Sequence, residues 1–306
     1  MTQPLESTAA AAAQHRGTQG AATPGGPERR RASELLPRLR GKGGLVAALA
    51  VVAFLAVASA APQLLATHDA YALDLGSALQ APSFAHLFGT DEQGRDLYSR
   101  VVFGTAQSLG IGPGAAGLSI VLALILGGTA ALGNRVVSAV ASRLIEIQFA
   151  FPTLLLALLV VAVTGPSALA QVLAVAVGSA PGYARMVRAQ ILQASGSGYV
   201  EAALTLGHPR SAILRRHVFP NAIRPLVAIL AMSVGQSIVW ASSLAFLGLG
   251  VSPPSPEWGA LLDAGRRYIV HAPWLTVIPG LVIVVVAVAS TTIGQHLRLA
   301  LEKGEK

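Results

Sequence analysis

The chain is 306 residues long, 53% of them hydrophobic and only 12% charged, with a mean hydropathy of +0.60. Such a chain is too apolar for a water-soluble domain and belongs in a bilayer. It has no cysteine, which excludes disulfides, thiolate metal sites and cysteine nucleophiles; the net charge is +8, but only 5% of residues are aromatic and the basic residues form no continuous stripe, so nucleic acid is not an expected partner.

In chain order, residues 1–42 read as a disordered basic tail, because residues 1–28 are rich in Ala, Gly, Thr and Pro and carry almost no large apolar side chain. Arg29, Arg30, Arg31, Arg38, Arg40 and Lys42 then lead into the first apolar run, residues 43–63. Ala58-Ser59-Ala60 would suit a signal-peptide cleavage site, yet the run is longer than most signal cores and lies far from the N-terminus. It is read as an uncleaved membrane anchor. Five further spans of about 20 residues follow. The second lies within 101–134, the third covers 144–164, the fourth 167–187 beyond the turn signal Gly165-Pro166-Ser167, the fifth 224–247 and the sixth 273–295. The expected fold class is all-α: a polytopic membrane protein of six transmembrane helices.

Lys and Arg set the orientation, since cytoplasmic segments carry their excess. With the N-terminus inside, only Arg95, Arg100, Arg266 and Arg267 fall outside, leaving 18 of the 22 basic residues inside. Both termini are then cytoplasmic, as is the loop 199–221.

That loop, YVEAALTLGHPRSAILRRHVFPN, is a polar, basic island between apolar segments. Glu201, Ala202 and Ala203 lie on a short predicted helix that Gly207 breaks. His208-Pro209 opens a second helix, which Pro220 is expected to end. On the second helix Ile213, Leu214 and Val218 share an apolar side, while Arg210, Arg215 and Arg216 crowd the rest. A helix-turn-helix with small residues, an apolar ridge and a basic flank suits a partner's groove; the alternative is an amphipathic helix lying on the membrane surface.

Two segments on the opposite side are equally distinctive. In His86-Leu87-Phe88-Gly89-Thr90-Asp91-Glu92-Gln93-Gly94-Arg95-Asp96-Leu97-Tyr98-Ser99-Arg100, Thr90 is expected to cap a short helix, with ion pairs from Asp91 to Arg95 and from Asp96 to Arg100. This segment is read as structural, pinning the start of the second span, rather than as a substrate contact. In AFLGLGVSPPSPEWGALL, residues 245–262, Gly248 and Gly250 are expected to unwind a helix end, Pro253, Pro254 and Pro256 to enforce an extended path, and Trp258 to sit at the membrane interface.

Together these strings resemble permease subunits of bacterial ABC importers, in the dipeptide, oligopeptide and nickel branch. Glu201-Ala202-Ala203 with Gly207, Ile213, His217 and Pro220-Asn221 resembles the family's EAA loop, the GTDxxGRDxxSR string resembles its marker before the second helix, and FLGLG..PP.P.WG resembles a third signature. The resemblance covers residues 84–302. It implies a transmembrane domain over those residues and a coupling helix-turn-helix at 199–221 that docks an ATPase through Glu201, Ala202, Ala203, Gly207, Ile213, Leu214, His217 and Pro220. It implies as partners a second homologous permease, two ATP-binding subunits and an extracytoplasmic substrate-binding protein, in a bacterial inner membrane. No cofactor is expected in this chain, ATP being bound by the partner subunits. Gln295 stands where the family suggests an acidic residue, so no role is carried over to it.

Within the spans the polar residues are uncharged. Gln148, Gln171, Ser233, Gln236 and Ser237, with Ser242 and Ser243, either line a translocation path or join helices by hydrogen bonds. Gly110, Gly112, Gly114 and Gly117 are expected to make a close helix contact. No ionisable residue sits at a helix centre, which disfavours an ion-coupled secondary transporter, the reading kept from a different class. There is no GxxxxGK[ST] loop, HExxH or GxSxG, so no catalytic or metal-binding residue is assigned and energy must come from another subunit. The substrate expected is a di- or oligopeptide, with a nickel or metal chelate as the alternative.

Overall fold

A computed structural model describes residues 27–303, with side chains from Gly43 to Leu301. The expected tail up to residue 26 lies outside the described residues, and helix begins at Pro27, ahead of the boundary expected at 43. One compact unit runs Gly44–Lys306.

Helices dominate it: α1 Pro27–Ala60, α2 Leu97–Leu132, α3 Arg135–Ala150, α4 Thr153–Thr164, α5 Ala168–Ser195, α6 Gly198–Thr205, α7 Arg210–Ile213, α8 Phe219–Leu244, α9 Trp258–Arg266 and α10 Trp274–Lys303. Among the described residues the one β feature is an isolated bridge between Thr90 and Asp96. Four helical stretches among the described residues are long and apolar enough to cross a bilayer, or five if the bent pair α3–α4 counts as one. At 28 residues α5 also has the length to cross, but Gln171, Gly178, Ser179, Pro181 and Gly182 dilute its apolar run.

Helix α2 is the mast. Its 36 residues rise about 54 Å at 1.5 Å each, and it joins all three buried clusters. Leu97 and Val101 pack with Trp258 and the α10 residues Leu275, Ile283 and Val286. Ile111 and Ala115 meet α4, α5 and Ala241 of α8. Ala123 and Ala130 meet Ala184 and Val187 of α5 and Ala222 and Leu226 of α8. So much buried alanine follows from the solvent: lipid is as apolar as the side chains, and association depends on close van der Waals approach. Of the four glycines expected to make such a contact, only Gly112 does so tightly, against Ile238, while Gly110 and Gly117 face open space. A tight α2–α5 approach lies instead at Gly127, where an added Cβ would strike the Ala184 carbonyl and Val187.

The expected third span is broken. Phe151-Pro152 separates α3 from α4, and the two axes diverge by 95°. The cause lies in Pro152, which lacks the N–H to continue α3 and disfavours helical geometry at Phe151, found extended at ψ 138°. Arg143 and Glu146 form an exposed 3.0 Å pair on α3, and the Arg185 guanidinium covers the Phe149 ring at 4.5 Å.

Candidate functional site

The loop 199–221 is folded onto the bundle. Helix α6 ends in a Schellman motif: His208 N–H donates to the Ala203 carbonyl at 3.1 Å and Gly207 N–H to the Leu204 carbonyl at 3.0 Å. The motif requires a left-handed residue, and Gly207 supplies it at φ +79°. His208-Pro209 then runs extended into α7.

Pro220 does not end the second helix, contrary to expectation. A π turn, Leu214–Val218, carries the chain from α7 into α8, with Phe219 N–H donating to Leu214 O, so Pro220 falls in the first turn of α8, where no N–H is needed. The Asn221 amide Nδ2 donates to the His217 carbonyl at 2.9 Å and to the Tyr199 hydroxyl at 3.0 Å, fastening the start of α8 to the start of α6. Asn221→Ala is expected to loosen that fastening by about 1 kcal/mol, read as faster amide hydrogen exchange in α6 with no loss of membrane insertion.

This fold divides the expected docking residues into two sets. Ala203 and Ile213 are buried with Val200 and Val218 against Ile191 and Ala194 of α5, so they hold the loop to its own bundle. Leu214 is half-buried beside them, and His217 is half-buried with its ring 6.0 Å from that of Tyr199. Glu201, Ala202, Gly207 and Pro220 are exposed. Leu204 and Leu206, at 50% and 77% exposure, stand beside them and were missed by sequence reasoning. Two exposed leucines at a glycine turn within a polar island were the available signal. Leu204 and Leu206 thus form an exposed apolar knob in a loop that also exposes Glu201, Arg210, Arg215 and Arg216.

At the other end, the Thr90–Asp96 segment is not a helix. Thr90 accepts from Gln80 N–H at 2.8 Å, in a knot of turns, and the residue that caps α2 is Asp96, whose Oδ2 accepts from Ser99 N–H at 2.8 Å. Asp91 pairs with Arg95 at 2.6 Å as expected. Arg100, however, turns to Asp91 at 3.6 Å rather than to Asp96. The reason is that the cap claims one Asp96 oxygen and His86 the other, at 3.0 Å.

Trp258, expected at the membrane interface, is fully buried, and its indole N–H donates to the Val101 carbonyl at 3.0 Å. Glu257 caps α9 through Gly259 N–H and Ala260 N–H, both at 2.9 Å, and accepts from Ser108 Oγ at 3.4 Å. Burial pushes the Glu257 carboxyl above its ordinary value of 4.5, with the backbone N–H donors opposing that shift. The folded state therefore holds this proton more tightly than the unfolded chain, and the group's contribution to stability is full below pH 4.5 and declines as pH rises above it. Glu257→Ala is expected to cost about 1–2 kcal/mol through the lost cap and to flatten that decline, as read from melting midpoints of the detergent-solubilised protein across pH.

The expected path residues differ in burial and in hydrogen-bond partners. Gln171 is fully buried and its Nε2 donates to the Ala241 carbonyl at 3.2 Å, an interhelical bond between α5 and α8. Ser233 donates to Leu230 O at 2.8 Å within its own helix. Ser237 is buried, Gln236 exposed and Gln148 half-buried. Ser242 and Ser243 line an apolar cavity of about 350 Å³ with Val239, Phe246, Leu262 and Ile283.

A family model, the binding-protein-dependent transport system inner membrane component, matches residues 119–303. The chain belongs to this family. The permease is 34% identical over 264 residues to a dipeptide transport system permease protein of Alkalihalophilus pseudofirmus, covering 86% of each chain. It is 38% identical over 235 residues to a probable D,D-dipeptide transport system permease protein of Escherichia coli K12, covering 76% of this chain and 78% of that one. A glutathione transport system permease protein of Escherichia coli UTI89 is 38% identical over 269 residues, covering 84% and 85%. Its fold is also that of solved transporters: an amino acid ABC transporter crystal structure superposes with a TM-score of 0.55 at 20% identity, covering 66% of this chain and 94% of that chain. A methionine ABC transporter in an inward-facing conformation gives 0.54 at 19%, covering 66% and 95%. The permease is therefore a multi-pass helical component of the membrane, and the branch expected from its motifs is the one to which its relatives belong.

Proposed function

We propose that the permease moves dipeptides or other short peptides inward, in an importer driven by ATP hydrolysis in separate subunits. The observation that carries this reading is the outer face of 199–221: an apolar knob, Leu204 and Leu206, projects from a turn whose inner face is locked to α5 and α8. Pushed by a partner, such a turn cannot move alone and carries the helices with it.

In the full assembly a second homologous permease completes the pathway, two ATP-binding subunits seat on the loops, and an extracytoplasmic binding protein delivers substrate. Glu201 and the exposed arginines orient the docking through charge-assisted contacts, while Leu206 and Ala202 supply close apolar approach. The excess of Lys and Arg supports a cytoplasmic position for both termini and for this loop, at the inner membrane of a bacterial cell. The named activities of the relatives supply the substrate class: dipeptides, D,D-dipeptides and glutathione are all short peptides.

Proteoliposomes holding the permease with its partner permease and ATPases, supplied with binding protein, should accumulate a radiolabelled dipeptide only when ATP is present. Uptake by the permease alone, or uptake indifferent to ATP, would replace this reading with a secondary transporter.

A further inference from the structure

We infer that the head of α2 carries a binding site for a divalent cation of zinc type, formed by His68, His86 and Asp96. Donor atoms of the three residues lie within 4.8 Å of one another. His86 Nδ1 is 3.0 Å and His68 Nδ1 3.8 Å from the same oxygen, Asp96 Oδ1. The two imidazole rings face each other with centroids 4.8 Å apart and planes tilted by 33°.

The chemistry favours a cation over a purely hydrogen-bonded cluster. Asp96 divides its work: Oδ2 takes the Ser99 N–H at 2.8 Å and the Ser99 hydroxyl at 2.7 Å, leaving Oδ1 to the histidines. A single imidazole N–H satisfies Oδ1, and the second ring is surplus to the cap. Two imidazoles and one carboxylate oxygen form the donor set that borderline divalent metals prefer. Metal–ligand bonds near 2.0–2.1 Å put tetrahedral donors roughly 3.3 Å apart, a spacing the Asp96 pairs already bracket. Closing the site requires only His68, whose side chain is 44% exposed, to swing inward from its 3.1 Å contact with Thr67 Oγ1. The Ser99 contacts fix the carboxylate from behind, the support that ligating carboxylates need. Exposure of His68 leaves a route for the ion and a fourth position for water.

A bound cation would tie three segments together: the connection after α1 through His68, the loop before α2 through His86, and α2 itself through Asp96. It would act as a structural clasp on this end of the bundle.

The test uses full-length permease in detergent, with any affinity tag removed, stripped by chelator and titrated with Zn²⁺ against a fluorescent zinc indicator. One equivalent should bind, with a rise in melting midpoint. His68→Gln and His86→Gln should each weaken binding by at least about tenfold and remove the melting shift, while His271→Gln and His208→Gln leave both unchanged. His68→Gln alters an exposed side chain and alone decides the matter if His86→Gln does not fold. No saturable uptake, or uptake surviving His68→Gln, would overturn the site.

Discussion

Gly207→Val is expected to cut substrate uptake about tenfold while leaving the permease inserted, folded and able to pair with its partners. The physical reason is narrow. An added Cβ at Gly207 meets nothing within 4 Å, so the substitution creates no overpacking. What it creates is backbone strain, because φ is +79° and a β-branched residue is strongly disfavoured in that region. The left-handed conformation costs about 1–2 kcal/mol in an L-residue. That is small against the stability of the whole bundle, yet a shift of 1.4 kcal/mol changes a two-state population about tenfold. The strain relaxes by opening the Schellman bonds of His208 and Gly207, which would turn Leu206 away from the docking position proposed for it. Asn tolerates this region, so Gly207→Asn should retain most activity. Transport assays on the two variants, with surface expression measured in parallel, separate a conformational lever from a simple loss of protein.

Asp91→Asn should have the largest effect on stability. Asp91, Arg95 and Arg100 are all buried, at 5%, 6% and 4% exposure. The single Asp91 Oδ2 faces Arg95 at 2.6 Å and Arg100 at 3.6 Å. Glu92 assists Arg95 at 3.6 Å and also acts on Arg100 through its charge, while Arg100 donates to the carbonyls of Ala70 and Pro254, each at 3.3 Å. Removing the shared charge leaves two buried guanidiniums in repulsion, at a cost of about 3–5 kcal/mol. The expected readout is a melting midpoint lowered by many degrees and little protein recovered from membranes. Unchanged melting would mean that Glu92 and the carbonyls suffice.

The course of the chain was legible because membrane spans write themselves in hydropathy: α1, α2, α8 and α10 lie where apolar runs predicted them. What escaped was local. The 95° break at Phe151-Pro152 was invisible to a count of apolar residues, since Phe151 and Pro152 do not lower hydropathy enough to interrupt a span. Pro220 misled in the opposite direction, because a π turn absorbs it and lets the helix continue. Trp258 was placed at the interface on its residue type, whereas its partner Val101 lies 157 positions away and no local pattern announces it. In the loop 199–221, the helix-break-helix and the turn at Gly207 could be read directly. The inward turn of Ala203 and Ile213 could not, because an amphipathic helix does not say which of its partners owns the apolar side.

Absence of native cysteine makes the most direct measurement clean. Leu206→Cys, the sole thiol in the permease, should cross-link to an ATP-binding subunit carrying a cysteine along its docking groove, in native membranes, with an efficiency that changes when ATP is added. It should also resist membrane-impermeant maleimide applied to intact cells. Labelling of the introduced thiol from outside the cell, or the absence of any cross-link in a complex that still transports, would contradict the assignment of this turn as the place where ATP-driven motion enters the membrane helices.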